Sequence, residues 1–197
     1  MTKKKARLVV FFAICAVLVT LILIFGKGIF DNLRLLYLYS SYPQKYSEEI
    51  ERLANEYKLD KNLVYAVVKT ESGFNEKAES NVGARGLMQI MEVTFDTVKS
   101  WSDDDGAVFD DMFIAEKNLQ YGCFLLGYLM RYYEGNETLA ICAYHAGTGN
   151  VDVWLSNEEY SSDGKTLDHI PVAATAHYLE KITNAKQKYI TLYSTED

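Results

Sequence analysis

The hydrophobic positions of the chain follow two different patterns. Residues 8–25 form an apolar run of eighteen residues in which Thr20 is the only polar side chain. After residue 42, apolar and polar positions recur instead at the spacing of amphipathic helices. The first run is long enough for a membrane span, although it is near the short limit. The pattern therefore predicts one transmembrane helix followed by a mainly α domain.

The periodic part of the chain predicts six helices. They cover 43–57, 60–72, 94–100, 112–133, 137–146 and 171–189. Asp60 is a suitable N-cap for the second helix, and Gly73 and Gly147 are suitable helix ends. Strand signals are weak, apart from a small hairpin that the glycines around Gly83 would allow. We expect one compact domain with a single hydrophobic core.

The residues before the apolar run indicate how the chain lies in a membrane. Lys3, Lys4, Lys5 and Arg7 precede it, which predicts a cytoplasmic N-terminus and an extracytoplasmic domain. A cleaved signal peptide is the competing interpretation, but no small-x-small cleavage site follows the run. The predicted organisation is a basic tail over 1–7, an anchor over 8–25, a juxtamembrane stalk over 26–42 and a domain over 43–197.

Charge narrows the class of partners. The whole chain has a net charge of −7. From residue 28 onward it contains 15 basic and 27 acidic residues, a net charge of −12. Nucleic acid binding needs a basic footprint and is therefore excluded as the function. We expect ligand recognition to depend on local hydrogen bonds and stacking.

The cysteines and histidines show no metal-ligand spacing, so neither a metal site nor a cofactor is predicted. The acidic run 103–105 lacks the full spacing of an EF-hand and is expected to be a solvated turn rather than a calcium site. Cys15 lies in the apolar run. Cys123 and Cys142 could pair outside the cytoplasm, but their apolar surroundings favour two buried free thiols.

The candidate chemistry begins at Glu71. Leu63, Val67 and Glu71 are four residues apart, so the carboxyl group continues the apolar stripe of its helix. Lost solvation would raise its pKa, as a general acid near neutral pH requires. By periodicity alone, a solvated or ion-paired glutamate is the more common alternative.

A glycine-punctuated segment, 83–91, follows this helix. Gly83 and Gly86 indicate a turn with unusual backbone angles or a close backbone approach. Gln89 lies among apolar neighbours and would be costly to bury without partners. Its amide either satisfies backbone groups or holds a polar ligand such as a sugar, and the residues alone leave both interpretations open.

Three blocks of this sequence resemble the Slt-type lytic transglycosylases. The first is Glu71–Ser80 with Gly83–Met91, the second is Ala143–Gly147, and the third is Ile170–Pro171 followed by Tyr178. The resemblance covers about residues 45–190. It implies a mainly α, α+β lysozyme-like fold with a groove between two lobes, and enzymes of this family cleave the glycan strands of peptidoglycan.

The resemblance also implies roles for single residues. Glu71 would be the sole catalytic acid and base, first protonating the bond between N-acetylmuramic acid and N-acetylglucosamine. It would then deprotonate the C6 hydroxyl, so that a 1,6-anhydro end forms without water. Ser80, Met88, Gln89, Tyr144 and Tyr178 match substrate-binding positions of the family cleft. For both tyrosines, core packing is the alternative.

Four positions depart from the family pattern. Glu76 and Glu92 stand where proline is usual, Ala174 where glutamate is common, and His145 where asparagine is usual. His145 could reposition Tyr144 or add a titrating group near the site. Two rival functions stay open, a lysozyme-type hydrolase on the same fold and a glycan-binding scaffold without catalysis. The small domain beside a membrane is also compatible with a local role in a cell-envelope or secretion assembly.

Overall fold

The computed structural model describes residues 3–102 and 104–193, and the chain divides into two compact units, Met1–Pro43 and Gln44–Asp197. Within the first unit, one continuous helix, α1, covers Lys3–Ser41. Its large apolar side chains are exposed, from Leu8 through Phe30 to Leu36. By length and composition alone, α1 could cross a membrane. The segment predicted as a stalk is helical as far as Ser41.

The second unit is built from helices and connecting turns. Its elements are α2 (Ser47–Tyr57), α3 (Lys61–Ser72), α4 (Glu92–Ser102), a 3₁₀ turn (Phe109–Phe113), α5 (Ala115–Tyr132), α6 (Glu137–Ala146), α7 (Thr148–Leu155) and α8 (Ala173–Tyr193). Between α3 and α4, the described residues form isolated antiparallel bridges rather than strands. The predicted mainly α fold is confirmed.

Caps explain why several predicted helix ends agree with the structure. The Asp60 side chain accepts a hydrogen bond from the Asn62 N–H at 2.8 Å, which starts α3 as predicted. Gly73 ends α3 with a left-handed φ of 58°, and Gly147 ends α6 with a φ of 84°. A glycine adopts these angles at little cost because it has no Cβ.

Other predicted bounds are wrong for local reasons. The first helix of the domain begins at Ser47 and not at Pro43, because Tyr46 adopts a left-handed φ of 60° just before it. The long helix predicted from residue 112 begins at Ala115, since Ile114 is extended and separates it from the 3₁₀ turn. The last helix begins at Ala173, two residues after Pro171, and the short α7 was not predicted.

The core forms around α5, whose buried face packs against α2, α4 and α6. On the other side of the domain α3 packs against α8, where the rings of Tyr65 and Tyr189 stack with centroids 5.1 Å apart. Lys186, within α8, lies with its Nζ 3.0 Å from Asp60 at the start of α3 and 2.7 Å from Glu137 at the start of α6. The starts of α3 and α6 are thereby fixed relative to α8.

All three cysteines carry free thiols, as predicted for Cys123 and Cys142. Both of these side chains are fully buried, on α5 and α6 respectively. Burial raises the pKa of the Cys123 thiol far above its usual range and that of Cys142 to about 11. In the acidic run, Asp103 lies outside the described residues, and Asp104 accepts a hydrogen bond from Lys117 at 2.7 Å.

Candidate active site

Glu71 lies in the last turn of α3 with its carboxyl group partly buried. Tyr178, on α8, donates a hydrogen bond from its hydroxyl to Glu71 Oε1 at 2.6 Å. Burial raises the pKa of Glu71 to about 7, and the hydrogen bond from Tyr178 opposes that rise because it favours the charged form. The carboxyl group can therefore either donate or accept a proton near neutral pH.

No ion pair with a described lysine, arginine or histidine holds the Glu71 carboxyl group in place. Among the described residues, none of the ion pairs includes Glu71, whereas other partly buried carboxyl groups are paired. A nearby lysine or arginine would stabilise the carboxylate and lower the pKa. Desolvation without such a cation is the arrangement expected for a carboxylic acid that stays protonated close to pH 7.

The loop over 78–90 is hydrogen-bonded to Ser72, the residue after Glu71, and is held by its own polar groups. Ser80 accepts a hydrogen bond from the Ala84 N–H through its hydroxyl at 3.0 Å, which closes the turn. Gln89 donates from its side-chain amide to the carbonyl groups of Ala78 and Gly86, at 3.3 Å and 3.0 Å. The amide nitrogen of Gln89 therefore satisfies backbone groups, one of the two interpretations that its sequence context leaves open.

Helix α5 supports the same loop from below through Asn118, which is 1% exposed. Its side chain accepts from the Met88 N–H at 2.7 Å and donates to the carbonyls of Arg85 and Met112, at 2.8 Å and 2.9 Å. This leaves no space for a side chain at Gly86, where a Cβ would lie 2.3 Å from Asn118 Nδ2. Ser72, at the end of α3, adds a hydrogen bond from its hydroxyl to the Leu87 carbonyl at 2.8 Å.

One turn further along α5, Gly122 makes room for Met88. A Cβ at Gly122 would lie 2.2 Å from the sulfur of Met88, whose side chain is fully buried. The absence of a Cβ at Gly122 thus lets the Met88 side chain fill the space between the loop and α5. Met88, proposed from sequence to contact substrate, packs here against the helix.

Helix α6 brings Tyr144 and His145 to the site. Tyr144 donates from its hydroxyl to the Met88 carbonyl at 2.8 Å, and burial together with the nearby Glu71 raises the pKa of its phenol. The His145 ring stacks on the Tyr178 ring with centroids 4.6 Å apart, and its Nδ1 lies 3.1 Å from Thr175 Oγ1. Although His145 as a whole is exposed, its stacked ring is partly desolvated, which lowers its pKa.

The structure thus brings all six residues singled out from sequence to the surroundings of one loop. Glu71 and Tyr178 share a hydrogen bond, and the Tyr144 hydroxyl donates a hydrogen bond to the Met88 carbonyl. Ser80 and Gln89 stabilise the turn through hydrogen bonds to its backbone. Sequence reasoning missed Asn118 and the stacking of His145 on Tyr178. Asn118 could have been found, since it follows Ala115 by three residues on the buried face of α5, where a polar side chain needs a partner.

Two grooves open next to the loop. The first encloses about 740 Å³ and is lined by the charged residues Arg85, Glu92 and Asp110 among others. The second, which we name the α4–α6 groove, encloses about 680 Å³. Its lining includes Met91, Thr97, Trp101, Tyr128, Tyr144 and His145. Of these two grooves, the α4–α6 groove is the one lined by Tyr144 and His145, the two residues that α6 brings to the site.

Comparison with known proteins gives consistent similarities. The family described as Transglycosylase SLT domain matches residues 48–167. The soluble lytic murein transglycosylase of Salmonella typhimurium is 31% identical over 148 residues, which are 74% of this chain and 23% of that protein. The membrane-bound lytic murein transglycosylase C of Edwardsiella ictaluri is 30% identical over 169 residues, covering 74% of this chain and 46% of that protein.

A solved structure shows the same fold. It is the lytic transglycosylase Slt of Pseudomonas aeruginosa, in the form of an inactive mutant with glutamine in place of a glutamate. Its TM-score is 0.70 at 25% sequence identity, and the match covers 79% of this chain and 25% of that chain. The matched region is therefore about a quarter of the Salmonella and Pseudomonas proteins.

Proposed function

Because this chain belongs to the transglycosylase SLT domain family, we propose that it is a membrane-anchored lytic transglycosylase that cleaves peptidoglycan glycan strands, with Glu71 as its single acid and base. The observation that carries the proposal is the environment of Glu71: partly buried, bonded to Tyr178, and with a pKa raised to about 7. The relatives named above support the substrate class. The Pseudomonas protein with glutamine in place of one glutamate is an inactive mutant, which supports a glutamate as the proposed catalytic group.

The proposed reaction needs both protonation states of one carboxyl group. Protonated Glu71 gives its proton to the glycosidic oxygen between N-acetylmuramic acid and N-acetylglucosamine as the C1–O bond breaks. The Glu71 carboxylate then removes the proton from the C6 hydroxyl of the muramic ring, and O6 bonds to C1. A 1,6-anhydro end forms, water is not consumed, and Glu71 regains its proton. A pKa of about 7 suits a group that must perform both steps.

The surroundings of Asp96, Asp110 and Asp111, the aspartates considered as a second carboxyl group, support a mechanism with one carboxyl group. Ordinary glycosidases use two, as acid plus nucleophile or base. Asp110 pairs with Arg85 at 2.8 Å, and Asp111 accepts the Val108 N–H at 3.0 Å. Asp96 is exposed on α4. The substrate's own C6 hydroxyl replaces the second group, and its position close to C1 supplies the effective molarity of an intramolecular attack.

Tyr178 and Tyr144 have supporting roles in this proposal. The hydrogen bond from Tyr178 orients the Glu71 carboxyl group and stabilises the carboxylate once the proton has left. Tyr144 fixes the Met88 carbonyl and lines the α4–α6 groove, where the glycan would lie. Ser80 and Gln89 keep the loop in shape, which leaves their remaining hydrogen-bonding capacity for sugar hydroxyl and acetamido groups.

The deciding experiment is mass spectrometry of peptidoglycan digested by the full chain in detergent, with Glu71→Gln as the matched variant. We expect products lighter than hydrolytic ones by one water, and a loss of at least roughly a hundredfold in rate for Glu71→Gln, because general acid–base catalysis is removed. Reducing-end products would instead identify a hydrolase. Glycan binding without any products would identify a scaffold.

A further inference from the structure

The α4–α6 groove differs chemically from the groove around Arg85. Of the described residues that line it, none is Asp, Glu, Lys or Arg, and its only titrating side chain near neutral pH is His145. The lining combines aromatic and aliphatic side chains with the hydroxyl groups of Thr94, Thr97 and Thr148. Such a surface suits a ligand that is uncharged, has apolar faces and carries hydroxyl groups at its edge.

The groove also extends well beyond Tyr144. One wall is the face of α4 from Val93 to Trp101, a rise of about 12 Å along a helix of this length. Its first end lies next to Met91, three residues after the Met88 carbonyl to which Tyr144 is bonded. Trp101 lies in the last turn of α4, at the opposite end. A ligand seated beside Tyr144 therefore needs further units in order to reach Trp101.

Trp101 and Tyr128 form an open aromatic pair at that far end. Their ring centroids are 4.7 Å apart at an interplanar angle of 39°, and Trp101 keeps 47% of its surface exposed. An indole that is nearly half exposed is poorly used as core packing, since the exposed part of its apolar surface gains nothing from folding. By contrast, Trp154 is only 7% exposed and belongs to the core.

We propose that Trp101 and Tyr128 form an outer sugar-binding subsite for the same glycan strand that passes Glu71. This inference rests on the proposed function. A pyranose ring has a C–H face that packs against an aromatic ring and a rim of hydroxyl groups that the groove's threonines can bind. The negative charge of the domain disfavours an acidic peptide as occupant, whereas the rings of a glycan strand are largely neutral.

The test measures binding of neutral N-acetylglucosamine oligomers to the full chain carrying Glu71→Gln, which prevents turnover. We expect Trp101→Ala to weaken binding of a hexamer roughly tenfold, as expected for loss of one aromatic anchor. Binding of a dimer, which is too short to occupy both ends, should be unchanged. Trp101→Phe should retain part of the affinity, because it keeps a ring. Val153→Ala, which removes an exposed apolar side chain outside the groove, is the matched control.

Fluorescence gives a second measurement on the same samples. The chain has two tryptophans, and only Trp101 is exposed. Hexamer binding should therefore change the emission of the parent protein and leave that of Trp101→Phe unchanged. Equal hexamer affinity in Trp101→Ala and its parent would overturn the subsite, and so would an effect of equal size on the dimer.

Cleavage of peptidoglycan by the chain with native Glu71 separates the two proposals. If that chain cleaves peptidoglycan while hexamer affinity is independent of Trp101, the subsite is refuted and the proposed function stands. If hexamer affinity depends on Trp101 but no cleavage occurs, the subsite stands and the proposed function is refuted. If Trp101 instead binds a protein partner, Trp101→Ala should leave the affinity for the hexamer and for the dimer unchanged, and the subsite would be refuted.

Discussion

Glu71 shows at the scale of one residue how the proposed chemistry is tied to stability. Its pKa is about 7 in the folded protein and 4.5 when fully solvated, so the folded state binds more protons between these two values. Folding is therefore weakened as the pH rises from 4.5 to 7, and the full penalty of about 3 kcal/mol is present above pH 7. Below pH 4.5 both states are protonated and the penalty vanishes.

The first prediction follows from this difference. Glu71→Gln keeps an acceptor for Tyr178 but cannot ionise, so it should raise the free energy of unfolding by up to about 3 kcal/mol at pH 8. The gain should shrink steadily to zero at pH 4.5. Urea denaturation across this range measures it, with Glu158→Gln, at an exposed carboxyl group, as control. A gain that does not depend on pH would contradict the assigned pKa.

The second prediction concerns Tyr178→Phe. The hydrogen bond from Tyr178 favours the carboxylate, so its removal should raise the pKa of Glu71 further and shift the basic limb of the pH–rate profile to higher pH. Tyr132→Phe is a matched control, because Tyr132 donates a similar hydrogen bond of 2.7 Å to Asp152 on the exposed surface. A basic limb at the same or a lower pH would show that this hydrogen bond does not lower the pKa of Glu71.

At the scale of elements, the loop over 78–90 takes its shape from α5 and α6 as much as from its own residues. Asn118 and Gly122 hold it from one helix, and Tyr144 binds the Met88 carbonyl from the other. Its position beside Glu71 is therefore a property of the packed domain. Substitutions on α5 that never touch a ligand should still change the site.

Gly122→Ala tests this dependence. The added methyl group would meet Met88, so we expect a loss of about 1–3 kcal/mol in stability from overpacking and reduced cleavage as the loop shifts. Gly149→Ala is the control, since a Cβ there meets no atom within 4 Å and alanine favours the helix. Thermal unfolding and peptidoglycan cleavage measure both variants. Normal activity in Gly122→Ala would show that the loop position tolerates movement of Met88.

The same elements show what sequence could and could not predict. Helices α3 and α6 were predicted well, because their apolar periodicity and their caps are local signals. The start of α2 depends on the left-handed conformation of Tyr46. The sequence does not indicate that conformation, because the position is not a glycine. The bond between Tyr178 and Glu71 joins residues 107 positions apart, so periodicity has no access to it, and only the family resemblance brought both residues together.

At the scale of the whole molecule, the chain combines an apolar helix with a domain that has its own core. The continuous α1 is about 58 Å long at a rise of 1.5 Å per residue, which exceeds the roughly 30 Å hydrocarbon core of a bilayer. Anchoring by this helix agrees with the membrane-bound relative of Edwardsiella ictaluri. The cytoplasmic N-terminus is a prediction from the basic cluster before the helix.

The corresponding prediction is that the full chain fractionates with membranes and resists extraction by high salt. A chain limited to residues 44–197 should remain soluble and keep the helical signal of the domain, because the described core residues all lie between Ile50 and Leu192. Protease added outside spheroplasts should digest the domain, and protection from that protease would contradict the orientation predicted from the sequence. Release of the full chain by salt alone would argue against a spanning helix.

The two buried thiols, Cys123 and Cys142, can report how often the native fold opens. Cys123 follows Gly122 on α5 and Cys142 precedes Tyr144 on α6, so both lie on the helices that position the loop. An alkylating reagent can reach them only while these helices are apart, and the time course of its uptake then counts spontaneous openings of the native fold. Ligand occupancy of the groove would slow that uptake by mass action, even for a ligand that is never cleaved. The rate of alkylation in the unmodified chain thus measures how often the helices that position the loop separate.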